Sequence, residues 1–378
     1  MNYDFTPQET AFFTDIAAAV KKATAGGKLD CRNCPMDAKE LGSIIGLLAR
    51  TSYLRLGLEP VEELNGQLTL MGAMEVLAAA SPSAYLSVEA SIRLFGRSLC
   101  QWANPDQKTK LLTPLLAGQI TGALALSESN VSAGHQALIT KGKKDGASVV
   151  VNGEKQYVIN APAADWIAVA GECGGSMALF FIEKNTPGLI VLPPLATLGY
   201  EGTPIAHIRL DGCEIPESQV VFPDSGQNIP DVIKMWENQI LLGASLGISS
   251  AAFSTARDFA KSHKSGGKPI IAYQEIGFKL AEMLTLLQTS QLLAYRTAWT
   301  METNPKEAQE LMWCAKVFCA ESAEQICSQA LQVMGASGYV KANPAQTAYR
   351  CAKYNQIAGT STEIARVKIG DAELGYRE

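Results

Sequence analysis

What this chain lacks narrows its function first. It has no block of Lys or Arg long enough to track a nucleic-acid backbone, and its formal net charge is −5. A polyanionic partner is therefore not expected. No stretch approaches the roughly 20 apolar residues of a membrane span, and the polar start Met1-Asn-Tyr-Asp-Phe-Thr carries no basic segment followed by an apolar one. The expectation is a cytoplasmic protein without membrane contact. Histidine is scarce, with only three residues, His135, His207 and His263. The lone C-x-x-C pair, Cys31 and Cys34, thus has no second pair and no nearby histidine to complete a metal site, and reads as two ordinary thiols in a loop. The nine cysteines are odd in number and scattered, unlike the disulfide framework of a small secreted domain, so reduced thiols and no metal are expected. No G-x-G-x-x-G is present: Gly153, Gly174-Gly175 and Gly266-Gly267 do not form one, which disfavours a dinucleotide-binding parallel sheet.

What remains divides the 378 residues into three parts. Apolar side chains recur at three-to-four spacing over residues 11–23, 38–48, 68–80 and 84–103, which predicts an N-terminal helical domain over 1–120. Short β-branched stretches then begin at Ser148, Trp166, Met177, Leu189 and Ala206, punctuated by Asp145-Gly146, Asn152-Gly153, Gly174-Gly175 and Asp211-Gly212. They predict a small antiparallel β domain over 121–227. Pro230 suits the first turn of a helix reaching about His263, and two more long helical runs, 271–300 and 306–334, precede a shorter one after Asn343. Residues 228–378 are thus expected to form a C-terminal four-helix bundle. The fold class is mostly α with a central β domain, its helices and strands segregated rather than alternating.

Several stretches carry a family likeness jointly. Leu126-Ser-Glu-Ser resembles the start of a T-E-P segment, and Asn152-Gly-Glu-Lys-Gln-Tyr-Val-Ile-Asn an N-G-x-K-x-W-I-T-N segment. Gly212-Cys-Glu-Ile-Pro closes the β region, and Gln274 through Ala281-Glu-Met fits Q-x-x-x-F-x-L-A-[DE]-M. Gln332-Val-Met-Gly-Ala-Ser-Gly-Tyr and Arg350-Cys-Ala through Ala358-Gly-Thr-Ser resemble Q-x-x-G-G-x-G-[YF] and R-D-A-x-x-x-x-I-x-E-G-T-S. In this order the chain resembles the acyl-CoA dehydrogenase family over essentially its whole length. The resemblance implies FAD between the β domain and the C-terminal helices, partly held by a neighbouring subunit of a homotetramer or dimer. It also implies an acyl-CoA or acyl-carrier-protein thioester as substrate, and electron-transfer flavoprotein or oxygen as electron acceptor. A thioester acidifies its α-proton for a carboxylate base while the β-hydrogen leaves as hydride to flavin N5.

The departures are as informative. Ala358 stands where many members carry the basic Glu of E-G-T, although its backbone N–H could still meet the thioester carbonyl. A minority, including isovaleryl-CoA dehydrogenases, carries the base early in the helix after the β domain. Counted back from Gly243-Ala-Ser-Leu-Gly247, that position is Glu237. Its competing reading is a solvated carboxylate favoured by the helix dipole, and Glu363 is a weaker candidate base. By the same correspondence Leu126, Ser127, Tyr157, Ile159, His263, Gln332, Gly335, Thr360 and Thr362 occupy flavin-contacting positions, and Ala133, Asn238 and Gly359 substrate-contacting ones. Ile159 replaces a Thr hydroxyl and His263 an Arg. Each lost charge-assisted hydrogen bond costs about 1.5–3 kcal/mol, so weaker FAD binding is expected. Two alternatives stay open: a non-catalytic partner subunit of a hetero-oligomer, and a flavin monooxygenase of the same fold.

Overall fold

The helical periodicity of the first hundred residues produces helices at the expected places. The structure, a computed structural model, describes residues 4–24, 34–62, 64, 66–129, 138–223, 226, 228–341 and 343–374. Helices α1 (Pro7–Thr24), α2 (Ala38–Leu48) and α3 (Gly66–Ala80) come first, α2 opened by a reciprocal cap between Asp37 and Glu40. Helix α4 (Pro82–Glu89) continues through a π-helical segment (Ala90–Gly96) into α5 (Arg97–Trp102). The single run read over 84–103 is therefore one helix with a widened turn, a feature common at functional sites. Two short helices, α6 (Pro105–Gln107) and α7 (Thr113–Leu116), lead to the sheet.

The sheet has strands β1 (Gly122–Ala125), β2 (Lys141–Asp145), β3 (Ser148–Ile159), β4 (Trp166–Cys173), β5 (Ser176–Glu183), β6 (Leu189–Val191), β7 (Ile205–Pro216) and β8 (Val220–Val221). They lie in the order β6-β7-β3-β2-β4-β5-β8, with β1 beside β4. The sheet is mixed, not antiparallel throughout, because β1 and β2 both run parallel to β4. Neither strand shows in the pattern: β1 is Gly-Ala-Leu-Ala, and in β2, Lys-Gly-Lys-Lys-Asp, only Gly142 is buried. A second correction concerns Asn152-Gly153, which is no turn but a register shift inside β3, with the Asn152 Oδ1 accepting from the Gly212 N–H at 2.8 Å.

Helix α8 (Ile229–Ser262) starts as its sequence dictates, with Asn228 as N-cap and Pro230 in the first turn. It is the one helix among the described residues with the length and mean hydropathy, 1.2, of a membrane span, contrary to the expectation that no run comes close. Because 78% of that window is buried inside the protein, its apolarity serves the core. Gly243 and Gly247 let α3 approach closely: a Cβ on Gly247 would lie 2.5 Å from the Ala78 Cβ. A small hairpin, β9 (Lys264–Ser265) and β10 (Lys268–Pro269), turns the chain into α9 (Gln274–Thr303), α10 (Pro305–Met334), α11 (Pro344–Ile357) and α12 (Thr362–Leu374). Helices α8 to α11 pack on one another and α12 lies against α10.

Candidate active site

A cleft of about 270 Å³ opens where three parts of the chain meet. Helix α4 and its π segment present Leu86, Ala90 and Leu94; β3 ends there on Ile159. Helix α8 supplies Glu237, Ile240 and Leu241, and the end of α11 supplies Tyr354, Ala358 and Gly359. Four residues singled out from the sequence, Ile159, Glu237, Ala358 and Gly359, thus line one cleft. Glu237 is half-buried rather than solvated, and burial among apolar walls pushes its carboxyl up to about 7, against the pull of Lys234 and Lys316. The Tyr354 hydroxyl is raised in turn, first by its own burial and then by the charge of Glu237.

The turn facing Glu237 is held on every side. Gly359 adopts φ +65°, and a Cβ there would lie 2.7 Å from the Asn238 Oδ1, so only glycine fits. Asn238, expected at the substrate, is instead fully buried. Its Oδ1 accepts from the Thr360 N–H at 2.9 Å and its Nδ2 donates to the Thr360 Oγ1 at 3.1 Å. Its short side chain reaches the neighbouring turn, which makes it a clamp for Thr360. The Ala358 N–H donates to the Tyr354 carbonyl at 2.9 Å, so it is committed to the last turn of α11. The next N–H, that of Gly359, has no hydrogen-bond partner among the described residues. Beneath, the Lys316 Nζ donates to the carbonyls of Asn355 and, at 2.9 Å, Ala358. The Tyr200 hydroxyl donates to the Asn355 Oδ1 at 2.8 Å, and the Asn355 Nδ2 to the Ser245 Oγ at 3.1 Å.

Along β3 from Ile159, a second register shift places Gln156 and Tyr157 opposite His207. The bulge is pinned on both sides: the Gln156 N–H donates to the Ser127 carbonyl at 2.9 Å, and the Tyr157 N–H to the His207 Nδ1 at 3.2 Å. Tyr157 is left 64% exposed, its ring edge-on to His207 at 5.0 Å, next to the exposed Ser127. An uncovered aromatic ring beside a hydroxyl, two residues from a cleft-lining side chain, fits a bound planar ring system such as a flavin. Leu126 is half-buried, and its carbonyl accepts from the Lys155 Nζ at 3.0 Å. The same ammonium is paired at 2.6 Å with buried Glu128, which also accepts from the Ile139 and Thr140 N–H groups and the Thr140 hydroxyl. Burial works to raise the Glu128 carboxyl, but these bonds outweigh it and hold it below the usual range.

The other expected residues lie apart. His263 is the C-cap of α8, stacked on Phe259 at 4.6 Å and about 39 Å along the helix from Glu237 at 1.5 Å per residue. Gln332 and Gly335 border an open groove of about 880 Å³ with Tyr339 and Tyr349. Thr362 is buried at the start of α12, its hydroxyl donating to Glu363 at 3.3 Å. Glu363 is exposed, and its carboxyl is held low by the first-turn backbone N–H and by Ser361 and Thr362. Residues 1–3, Cys31, Ala133 and His135 lie outside the described residues. Lys316 and Tyr354 went unread in the sequence, as did the pair Glu128 and Lys155. Lys316 carries a legible signal: it interrupts the buried stripe Met312, Ala315, Cys319, Ala323 with a charge. Glu128 and Lys155 sit inside the quoted motifs, but the resemblance assigns its flavin contacts to their neighbours.

Comparison with known proteins agrees with this geometry. The family model described as the acyl-CoA dehydrogenase middle domain matches residues 123–213, and that of the acyl-CoA dehydrogenase C-terminal domain matches residues 235–374. The chain is 31% identical to benzylmalonyl-CoA dehydrogenase of Aromatoleum aromaticum, over 70% of this chain and 71% of that protein. It is 30% identical to mitochondrial isovaleryl-CoA dehydrogenase of Oryza sativa subsp. japonica, over 86% of this chain and 79% of that protein. The fold superposes on butyryl-CoA dehydrogenase from Megasphaera elsdenii with a TM-score of 0.88, at 23% identity over 99% of this chain and 100% of that one. The prolyl acyl carrier protein oxidase AnaB follows at 0.87, at 24% identity over 97% and 99%. The chain therefore belongs to the acyl-CoA dehydrogenase family, whose members are oxidoreductases acting on CH–CH bonds.

Proposed function

We propose that the chain catalyses FAD-dependent α,β-dehydrogenation of an acyl thioester, carried by coenzyme A or an acyl carrier protein, with Glu237 as general base. The observation that carries this reading is a carboxylate set in an apolar cleft, beside the turn that carries Ala358 and Gly359. Ser127, Tyr157 and Thr360 would hold FAD, which when bound would supply the acceptor for the β-hydride. Glu237 takes the α-proton, so the balance is a proton on its carboxyl, a hydride on the acceptor and a new Cα=Cβ bond in the thioester. The Gly359 N–H is the free backbone donor for the thioester carbonyl as enolate character develops. Leu86, Leu94 and Ile240 exclude water and strengthen both interactions.

We infer a homo-oligomer on the same correspondence: His263, matched to a position that contacts the flavin of a neighbouring subunit, lies about 39 Å along α8 from Glu237, so such a contact would serve the cofactor of a second copy. Electron-transfer flavoprotein or oxygen would then reoxidise the flavin. Anaerobic mixing of the FAD-loaded chain with a panel of acyl-CoA and acyl-carrier thioesters tests the reading, since a substrate bleaches the flavin. No bleaching by any of them would discard it.

The pH dependence has a defined sign. Glu237 acts as the carboxylate, and its pKa is raised to about 7, so protonation removes the base below that value. Flavin reduction is expected to fall about tenfold per pH unit on the acid side and to level off above neutrality. A rate independent of pH between about 5 and 8 would contradict this assignment.

A further inference from the structure

We propose that Lys316 is a positioning residue for the base: its ammonium caps the end of α11 through the Asn355 and Ala358 carbonyls, fixing the turn opposite Glu237, and serves as counter-charge to that carboxylate. The inference rests on Glu237 as general base and extends it to a residue that touches neither substrate nor cofactor. Lys316 is 1% exposed, and a buried ammonium is costly unless it is bonded and paired. Its bonds go to two carbonyls at the C-terminal end of α11, where backbone acceptors lack helical partners and the dipole favours a cation. The residue so held, Ala358, lines the cleft with Glu237, and the Glu237 Cβ is 3.4 Å from where a Gly359 Cβ would be.

The charges around Glu237 leave Lys316 as the enclosed one. Lys234 acts from the same helix but is only half-buried and shares its field with Asp231 and Lys368. Tyr354 faces Glu237 from α11; among the described residues that line the cleft, α4 with its π segment and β3 present only Leu86, Ala90, Leu94 and Ile159. Lys316 is itself faced by Glu237 from α8 and Glu363 from α12. Burial pulls its amine down, and these two carboxylates resist that pull and favour the ammonium. When a thioester fills the cleft and expels water, Lys234 remains screened by solvent while Lys316 does not.

The test uses the full-length, FAD-loaded protein and the carboxyl infrared band that vanishes in Glu237→Gln. In the wild type this band should titrate near pH 7. In Lys316→Met the midpoint should rise by about one pH unit, and the acid limb of flavin reduction should move with it. Lys316→Arg, which keeps the cation, should titrate closer to the wild type than the methionine variant does. Lys316→Gln is the second neutral variant should methionine at this site fail to fold, with the same criterion. A midpoint unmoved by loss of the charge, or moved as far by arginine as by methionine, overturns the proposal. Full activity in Glu237→Gln would instead sink the base assignment, leaving the titration to judge Lys316 as a counter-charge.

Discussion

Glu237→Gln is expected to slow anaerobic flavin reduction by an acyl thioester by about 10²–10⁴-fold, the range general-base catalysis contributes, without loss of bound FAD or of thermal stability. The amide is isosteric and neutral, so it fills the same space beside Ile240 and Leu241 while removing the one carboxylate among the described residues that line the cleft. Ala358, on another helix end, lines the same cleft, which allows a sharper form of the experiment. Moving the carboxylate across, in Glu237→Gln/Ala358→Glu, should return at least about tenfold of the lost rate, because proton transfer depends on reach and pKa rather than on which helix carries the group. Failure of both the loss and the recovery would mean that the proton leaves by another route.

Lys155→Met is expected to destabilise the protein by about 3–5 kcal/mol, the cost of stranding one member of a buried ion pair. Lys155 and Glu128 are both essentially buried at 2.6 Å, and the ammonium also holds the Leu126 carbonyl. Its loss should therefore loosen residues 126–128 and lower FAD affinity. The exposed pair of Lys141 and Glu172, at 3.3 Å, is the control. Lys141→Met should change stability by less than about 1 kcal/mol, because water screens that pair. Glu128's folded pKa lies below the unfolded value, so its contribution is present above the unfolded pKa of about 4.3 and lost as pH falls through the lower folded value. The difference between wild type and Lys155→Met should accordingly narrow in acid. Equal unfolding midpoints at neutral pH would show that the pair is dispensable.

The sequence exposes the helices because their signals are local. Asn228 and Pro230 announce the start of α8, Asn304 and Pro305 that of α10, and apolar spacing carries each onward. Strands β1 and β2 escape notice because their pairing with β4, not their composition, makes them strands. The site divides in the same way. Glu237, Ala358 and Gly359 can be named from motif correspondence, but the burial that raises Glu237 comes from walls such as Leu86 and Ile159, and part of the opposing pull from Lys316, all remote in the chain. Asn238 shows the limit of correspondence: the position matches a substrate contact, yet a side chain this short turns to Thr360. Tyr157 and Ser127 become interpretable only through the bulge that leaves them exposed together.

The proposed reaction turns on a single proton, the one passing from the α-carbon of the thioester to Glu237. It is followed most directly by incubating the FAD-loaded protein anaerobically with an α-deuterated acyl thioester and measuring deuterium released to solvent. Wild-type protein should release the label as the flavin bleaches, and Glu237→Gln should bind the same thioester yet release almost none. Release by Glu237→Gln at the wild-type rate would contradict the account.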